Sequence, residues 1–418
     1  MIRMMAVRQD FPKAPPLDIA ATLWRDFKPS VKRGASIAVA AGSRGISNYA
    51  AVVSTVIAIL KEAGAVPFIV PAMGSHGGAT PEGQRGLLAE YGITEEKMGV
   101  PLRDSMAAER LGTTEEGIPV HFSAEALKAD GIVLVNRVKP HTDFIGKVGS
   151  GLLKMAAIGL GKQAGAAACH AAGQKFGLER VIKGVAGVSL RKAPFLCGVA
   201  ILEDPYHETA RLAVVPAAEI EAREVELQAE ARKLMPRLPF DDMDLLIIDR
   251  IGKNISGPGM DPNVVGRPVQ GYTATLSDRS WNPVVRRILV TDLTPESHGN
   301  AIGIGMADFT TAKLVSKIDK KSMYMNALTS LSVATVKIPI TFDTDRDAVT
   351  GALGTLALED PSKARVIRIQ DTLSLGVIEV SEAFAEALKG RKELAPLGPP
   401  AEIAFDAAGN LLPIGSQR

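Results

Sequence analysis

Residues 131–170 read GIVLVNRVKPHTDFIGKVGSGLLKMAAIGLGKQAGAAACH, and this stretch decides how the chain folds. Its apolar, β-branched beginning predicts a buried strand, which ends in the run Lys139-Pro140-His141 because proline cannot continue strand pairing. A glycine-rich loop around Ser150 follows. The Ala-rich segment after this loop predicts a helix that begins at Lys154 and carries His170. A strand, a polar turn and a helix in this order are typical of an α/β domain with a small-molecule site at the strand ends.

Two earlier parts of the chain repeat this arrangement. Residues 34–45 predict a buried strand that ends in the turn Gly42-Ser43-Arg44, and residues 66–73 predict a strand that ends in Gly74-Ser75-His76. A helix is predicted after each turn. Since the carboxyl ends of parallel strands lie along one edge of a sheet, we expect the three polar turns to converge. The predicted site consists of Arg44, His76, His141, Lys154 and His170.

The second half of the chain begins again with a strand and a polar loop. Prolines and the acidic run DDMD follow a long charged helix over 217–235, which we interpret as a connector. We therefore predict an α/β fold of two domains, residues 1–236 and residues 237–418, with mostly parallel sheets facing a central crevice. The strand at 244–249 leads into a loop that contains Lys253. We expect this loop to face the same crevice, which makes Lys253 a candidate cation for the substrate.

Composition excludes several classes of protein. The 418 residues are 46% hydrophobic and 22% charged, with a net charge of +2 at pH 7, so no electrostatic surface for nucleic acid or an anionic membrane is expected. The two cysteines, Cys169 and Cys197, predict neither a disulfide framework nor a cysteine zinc site. The sequence shows no signal peptide and no apolar run that could span a bilayer, so we expect a cytoplasmic protein.

The central stretch resembles the nickel-dependent lactate racemase family. The family pattern is a histidine after a strand, a Gly-Ser-Gly loop, a lysine that carries the cofactor and a histidine that ligates nickel. The matching positions are His141, the run Gly149-Ser150-Gly151, Lys154 and His170. The loop between His141 and Lys154 is longer than the family's.

The two earlier turns resemble the same family. The turn GSRG is similar to the family's arginine-bearing turn, so Arg44 matches the arginine that meets the substrate carboxylate, although Ala41 stands where the family usually has Asp. The run GSHGGATPE is similar to the family's Gly-Thr-His turn before Thr-Pro, and its histidine is His76. The family's second half supplies a lysine for the substrate, and Lys253 is our choice for that role.

The resemblance implies an isomerase, namely a racemase or epimerase that inverts the α-carbon of a 2-hydroxy acid by reversible hydride transfer to a nickel pincer nucleotide. The cofactor would be attached to Lys154 as a thioamide, and His170 would complete the nickel coordination. Its implied partners are a small 2-hydroxy acid and the enzymes that make the cofactor. The altered loops predict a substrate other than lactate, such as a sugar acid or a dicarboxylate. The implied site residues are His76 and His141 as acid/base catalysts, Ser43, Gly149, Ser150 and Gly151 for the cofactor, and Arg44 and Lys253 for the substrate.

Three other functions stay open at this point. Gly159-Leu160-Gly161 followed by Gly165 hints at the dinucleotide fingerprint of a nicotinamide-dependent dehydrogenase, although it follows a predicted helix and not a strand. A non-catalytic protein that binds or carries a nickel cofactor or an organic anion would need Lys154 and His170 but not His76. A metal hydrolase could use His76 and His141 as ligands, although no HExxH-type pattern accompanies them.

Overall fold

The computed structural model describes residues 2–42, 45–269 and 282–416. In chain order its strands are β1 (Arg3–Gln9), β2 (Ser36–Ala41), β3 (Val66–Pro71), β4 (Ala108–Thr113), β5 (Pro119–Ser123), β6 (Gly131–Arg137), β7 (Phe195–Glu203), β8 (Thr209–Pro216), β9 (Asp242–Ile248), β10 (Val284–Val290), β11 (Phe309–Thr311), β12 (Ile340–Phe342), β13 (Val366–Ile369), β14 (Val377–Ser381), β15 (Leu394–Pro396) and β16 (Ala401–Glu402).

The α-helices are α1 (Ile19–Asp26), α2 (Tyr49–Glu62), α3 (Pro81–Glu90), α4 (Glu95–Met98), α5 (Ala124–Leu127), α6 (Leu152–Lys154), α7 (Lys162–Phe176), α8 (Leu178–Lys192), α9 (Ile220–Leu234), α10 (Pro262–Val265), α11 (Ala312–Ser316), α12 (Lys320–Ser330), α13 (Asp345–Gly354) and α14 (Ala385–Leu388). A turn of π-helix, Met155–Gly159, follows α6 directly. In the described ranges, none of the helices has the length and apolar character needed to cross a membrane.

The chain divides into two compact units. The N-terminal unit comprises Pro12–His141 and Gly146–Met235, and the C-terminal unit comprises Met1–Phe11, Thr142–Ile145 and Pro236–Arg418. The first residues of the chain, which were predicted to be part of the first domain, thus belong to the C-terminal unit. The reason is strand pairing, since β1 pairs with β14, β15 and β16, and a single sequence does not show which distant strands will pair.

The sheet of the N-terminal unit has the order β3-β2-β6-β7-β8. Strand β2 is parallel to β3 and β6, β6 is parallel to β7, and β8 closes the sheet as an antiparallel edge strand. Strands β2 and β6 are almost entirely buried, as expected for parallel strands covered on both faces. Apolar side chains of α2, among them Val52, Val53 and Val56, pack on this sheet.

Local signals in the sequence account for the helix after β3. Thr80 is the N-cap of α3, its hydroxyl oxygen accepts a hydrogen bond from the backbone nitrogen of Gly83 at 3.0 Å, and Pro81 occupies the first helical turn. A side-chain acceptor at the N-cap stabilises a helix by about 1 kcal/mol, and proline at this position loses no hydrogen bond. The end of the loop that leads into α3 is therefore fixed.

The C-terminal unit contains a mixed sheet with the order β12-β11-β10-β9-β13-β14-β1-β15 and β16 beside β1. The strands from β12 to β13 are parallel, and β14, β1, β15 and β16 pair antiparallel. A buried arginine, Arg368, joins this sheet through ion pairs with Asp249 at 2.7 Å and Glu379 at 2.9 Å. The α/β class predicted from the sequence is confirmed.

Candidate active site

Three loops leave the N-terminal sheet side by side. At the carboxyl end of β2, Ala41 is in register with Pro71 of β3 and with Val135 of β6, and all of these strands run in the same direction. The loops that follow them therefore begin next to each other at one edge of the sheet. This is the position at which α/β sheets bind small molecules. The predicted convergence of the polar turns agrees with this strand order.

His141, Lys154 and His170 are electrostatic neighbours. The His141 side chain is buried, with 5% of its surface exposed. Burial lowers the pKa of His141 well below 6.5, and the nearby positive charges of Lys154, His170 and Lys139 lower this pKa further. The structure thus brings together three residues of the predicted site. It also keeps the His141 imidazole neutral at neutral pH, which is the form that accepts a proton.

The helical segment between Lys154 and His170 is interrupted. Lys154 ends the short helix α6, the π-turn Met155–Gly159 follows it, and α7, which contains His170, begins at Lys162. The backbone of Lys162 has a φ of +55°, unusual for a residue with a side chain. Turns of π-helix inside helical segments are frequent at functional sites. Lys154 and His170 are both half-buried, so a bound molecule can reach them.

The glycine loop before Lys154 is paired with the end of β6. The backbone nitrogen of Ser150 donates to the carbonyl oxygen of Lys139 at 2.9 Å, and the nitrogen of Lys139 donates to the carbonyl oxygen of Ser150 at 2.8 Å. A Cβ atom at Gly149 would lie 2.6 Å from the Lys139 carbonyl oxygen, which explains why glycine occupies this position. The loop is thereby held beside His141. Cofactor binding by Gly149, Ser150 and Gly151 stays a prediction.

Three buried polar side chains that were not predicted from the sequence surround this glycine loop. They are Asn136 of β6 and Glu224 and Gln228 of α9, and we call them the loop cradle. Asn136 Nδ2 donates to the carbonyl oxygen of Gly151 at 3.0 Å, and Glu224 Oε2 accepts from the backbone nitrogen of Leu153 at 2.8 Å. Burial raises the pKa of Glu224 to about 7.

A periodic pattern in α9 could have indicated two members of the loop cradle. The buried residues of this helix recur at spacings of three and four, which is the pattern of one buried helix face. They are Ile220, Glu224, Leu227, Gln228 and Ala231. The interpretation of this helix as a charged connector gave too little weight to Glu224 and Gln228, because their polarity masks the periodicity.

His76 lies exposed in the loop after β3. Its loop is tied to the π-turn, since the backbone nitrogen of Gly74 donates to the carbonyl oxygen of Gly159 at 3.0 Å. The buried Gln84 also holds this loop, because its Nε2 donates to the carbonyl oxygen of Gly74 at 2.9 Å and to that of His76 at 3.3 Å. The backbone that carries His76 is therefore fixed against the segment that follows Lys154. The acid/base role of His76 stays a prediction.

The predicted turn residues Ser43 and Arg44 lie outside the described residues, but both flanks of their turn are described. The backbone nitrogen of Gly42 donates to the hydroxyl oxygen of Tyr49 at 2.8 Å, and that hydroxyl donates to the carbonyl oxygen of Val135 at 2.8 Å. On the other side, the backbone nitrogen of Gly45 donates to the hydroxyl oxygen of Tyr91 at 3.2 Å. Tyr49 and Tyr91 thus hold the two ends of the turn.

Lys253 belongs to the C-terminal unit, in the loop after β9. Its Nζ donates to the carbonyl oxygen of Gly257 at 2.6 Å and to Oδ1 of Asn326 at 3.0 Å, and its backbone nitrogen donates to Ser297 Oγ at 2.9 Å. These hydrogen bonds fix the side chain and the backbone of Lys253 within the C-terminal unit. Its role toward a substrate stays a prediction.

The metal-ligating groups of the described site residues are few. Residues 2–42, 45–269 and 282–416 contain no cluster of three or more His, Cys, Asp or Glu side chains that could hold a metal ion. Burial raises the pKa of the Cys169 thiol to about 12, which makes it unsuitable as a thiolate ligand beside His170. A metal at this site would therefore need donors from a bound group. One histidine and one lysine amine fit a group that brings its own sulfur and carbon donors.

Two of the alternative functions lose support from this geometry. The run Gly159-Leu160-Gly161 begins at the last residue of the π-turn and ends just before α7, whereas a dinucleotide fingerprint requires a strand before it. A hydrolytic metal site normally has three protein ligands, and the described part of the chain holds no such cluster.

Residues 25–175 match the model of the lactate racemase N-terminal domain. This match identifies that segment as a lactate racemase N-terminal domain. The matched range includes His76, His141, Lys154 and His170, so these candidate residues lie within the lactate racemase N-terminal domain. Lys253, Glu224 and Gln228 lie outside it. Comparison with curated protein sequences gave no match.

One solved structure shows a fold similar to that of this chain. The lactate racemase apoprotein from Thermoanaerobacterium thermosaccharolyticum is similar with a TM-score of 0.50 and 14% sequence identity, over 88% of this chain and 93% of that chain. A protein from Thermotoga maritima aligns with a TM-score of 0.49 and 14% identity, over 85% of this chain and 96% of its own. At 14% sequence identity, the similarity to the lactate racemase apoprotein is a similarity of fold alone.

Proposed function

We propose that the protein is an isomerase, a racemase or epimerase that inverts the α-carbon of a 2-hydroxy acid with a nickel pincer nucleotide attached to Lys154. The observation that carries the proposal is the grouping of Lys154, His170 and a neutral His141 inside a lactate racemase N-terminal domain. In this proposal Lys154 holds the cofactor and His170 ligates its nickel. When bound, the group supplies a hydride acceptor for the substrate α-carbon.

The chain's own residues provide the proton chemistry. Burial and neighbouring positive charges lower the pKa of His141, so a nitrogen of its neutral imidazole can accept the proton of the substrate hydroxyl. Inversion needs a second group for the other enantiomer, and the proposal gives this role to His76. A proton must be delivered to the carbonyl oxygen when hydride returns to the α-carbon, so each histidine serves as base in one direction and as acid in the other.

Substrate orientation is assigned to cations. A guanidinium binds a carboxylate through two parallel hydrogen bonds, so Arg44 is proposed to hold the substrate carboxylate, with Lys253 as a second cation. Lys139 supplies a further positive charge near His141. A second cation beside the base favours a substrate larger than lactate with an anionic or polar tail, for example a dicarboxylate or a sugar acid.

The cofactor is tested first. The chain is expressed together with the enzymes of nickel pincer biosynthesis, and its intact mass and nickel content are measured. The parent protein is expected to gain the cofactor mass and about one nickel per chain, and Lys154→Ala is expected to gain neither. Lys147→Ala is the matched control, because Lys147 is an exposed lysine in the glycine loop that precedes Lys154. This variant should take up the cofactor to the same extent as the parent.

Inversion is tested next on loaded protein, by chiral chromatography of a panel of 2-hydroxy acids. The parent should convert each enantiomer of one substrate to the racemate or epimer mixture, and His76→Ala should keep the adduct and the nickel but lose this activity. An adduct without inversion of any substrate would favour a carrier of the cofactor. Absence of both adduct and nickel from the parent would refute the cofactor assignment.

A further inference from the structure

Helix α9 presents two buried polar side chains to the glycine loop. Glu224 has 0% of its surface exposed and Gln228 has 1%. The two residues are four positions apart, so they lie on the same helix face. A glutamate is almost never fully buried unless a specific contact requires it, because removing a carboxylate from water is costly. The burial of these two polar side chains therefore indicates specific contacts and not packing alone.

The first reason is the contact between Glu224 and the turn that carries Lys154. Glu224 Oε2 accepts a hydrogen bond from the backbone nitrogen of Leu153 at 2.8 Å, and the backbone of Leu152 also stabilises the carboxylate form. Leu153 directly precedes Lys154 in α6. The hydrogen bond thus fixes the peptide from which the Lys154 side chain departs.

The second reason is the contact between Gln228 and the loop beside His141. A Cβ atom at Gly149 would lie 2.6 Å from Gln228 Nε2 and 3.0 Å from the backbone nitrogen of His141. The backbone of Gly149 is therefore enclosed between the Gln228 amide and the peptide of His141. One helix face supports both the lysine turn and the strand end that carries the histidine.

We propose that Glu224, supported by Gln228, is a positioning residue that fixes the turn of Lys154 so that the lysine amine stays beside His141 and His170. The inference rests on the proposed function, in which Lys154 is the attachment point of the cofactor. The essential feature is an oxygen acceptor for the Leu153 nitrogen. A neutral amide at position 224 keeps that acceptor, and an apolar side chain of similar volume removes it.

The test compares Glu224→Gln with Glu224→Leu in full-length protein expressed without the cofactor-biosynthesis enzymes. An N-hydroxysuccinimide ester of acetic acid modifies lysine amines, and mass spectrometry follows acetylation of Lys154 relative to Lys147 in the same chain. Glu226→Gln is the matched control, because the side chain of Glu226 is 64% exposed on the same helix. Circular dichroism and thermal unfolding establish that each variant is folded at the temperature of labelling.

We expect the ratio of Lys154 acetylation to Lys147 acetylation to agree within about twofold among the parent, Glu224→Gln and Glu226→Gln. Glu224→Leu should change this ratio at least about fivefold, because small displacements of a reactive group alter its rate strongly. A folded Glu224→Leu with the parent ratio would overturn the proposal, as would a Glu224→Gln ratio shifted as far as that of Glu224→Leu. If Glu224→Leu does not fold, Gln228→Leu and Gly151→Ala test the same contacts, with the same two outcomes.

The labelling result does not depend on the proposed function, because it needs neither nickel nor substrate. A parent chain that takes up no cofactor would refute the function and leave the labelling comparison intact. Where the parent is loaded, the adduct fraction gives a second readout. Glu224→Gln should then be loaded to the parent's extent, and Glu224→Leu should lose most of the adduct. Equal loading of both variants would overturn the positioning role.

Discussion

Gly151 lies so close to Glu224 that a Cβ atom at Gly151 would be 2.5 Å from Glu224 Oε1. The Glu224 side chain is fully buried and cannot move into solvent, so Gly151→Ala must displace either the carboxyl group or the loop. We expect this variant to lose about 1–3 kcal/mol of the free energy of unfolding, the usual cost of overpacking, measured by urea titration.

Gly86→Ala is the control for this substitution. Gly86 is exposed in α3, and a Cβ atom there would have no neighbour within 4 Å. Alanine is favoured over glycine in a helix by about 1 kcal/mol, so this variant should be more stable than the parent. Removing the clashing side chain should also rescue the first variant, so that Gly151→Ala with Glu224→Ala is more stable than the sum of the single effects predicts. Strict additivity would contradict the contact.

The stability of the protein should depend on pH through Glu224. Burial raises the pKa of this carboxyl group to about 7 from an ordinary value of 4.5, so the folded state holds more protons than the unfolded state between these values. The stabilising contribution of Glu224 is complete below pH 4.5 and is lost as the pH rises to about 7, a change on the order of 3 kcal/mol. Backbone nitrogens of Leu152 and Leu153 oppose the shift.

Glu224→Gln isolates this contribution. The amide does not titrate, so unfolding by urea should show the parent losing stability relative to this variant between about pH 5 and about pH 7. Glu226→Gln should keep the pH dependence of the parent, since Glu226 is exposed. A constant difference between the parent and Glu224→Gln across this interval would show that Glu224 has the same pKa in both states.

Local patterns were sufficient to predict the strands β2, β3 and β6. Their β-branched apolar runs, the N-cap Thr80 and the glycine turns are signals within a few residues of each other. The motif of His141, Lys154 and His170 could likewise be identified from sequence, because its members lie on one continuous stretch. Their grouping around a buried imidazole agrees with that identification.

Long-range contacts could not be predicted in the same way. Glu224 reaches the Lys154 turn across 71 positions of the chain, and no local pattern in α9 indicates its partner. The pairing of β1 with β14 also depends on residues at opposite ends of the sequence. Such contacts depend on the assembled fold, and a single sequence carries no signal that joins the two partners.

Lys162 should make the stability of the protein depend on pH in the direction opposite to that of Glu224. Burial lowers the pKa of this lysine to about 8, against the opposing charges of Asp104 and Glu125, and its Nζ donates to the carbonyl oxygen of Pro71 at 2.8 Å. The unfolded state therefore binds more protons than the folded state above about pH 8, so the parent should gain stability up to about pH 10, by an amount on the order of 3 kcal/mol.

Lys162→Met removes the titrating amine and keeps most of the side-chain volume. Relative to this variant, the parent should become more stable as the pH rises through that interval, as measured by thermal unfolding. Lys175→Met is the matched control, because Lys175 is an exposed lysine of the same helix, and it should follow the parent. Parallel curves for the parent and Lys162→Met would mean that burial of the amine has no effect on its pKa.

Tyr49 should stabilise the turn that contains the predicted substrate arginine. Its buried hydroxyl accepts from the Gly42 nitrogen and donates to the Val135 carbonyl oxygen, each at 2.8 Å, so Tyr49→Phe leaves two buried groups without a partner at a cost of about 1–3 kcal/mol. Tyr91→Phe, which removes the longer contact to Gly45 at 3.2 Å, should cost less. If Arg44 binds the substrate carboxylate as proposed, Tyr49→Phe in loaded enzyme should also raise KM for the hydroxy acid more than it lowers kcat. An unchanged free energy of unfolding in Tyr49→Phe would show that the hydroxyl does not hold the turn.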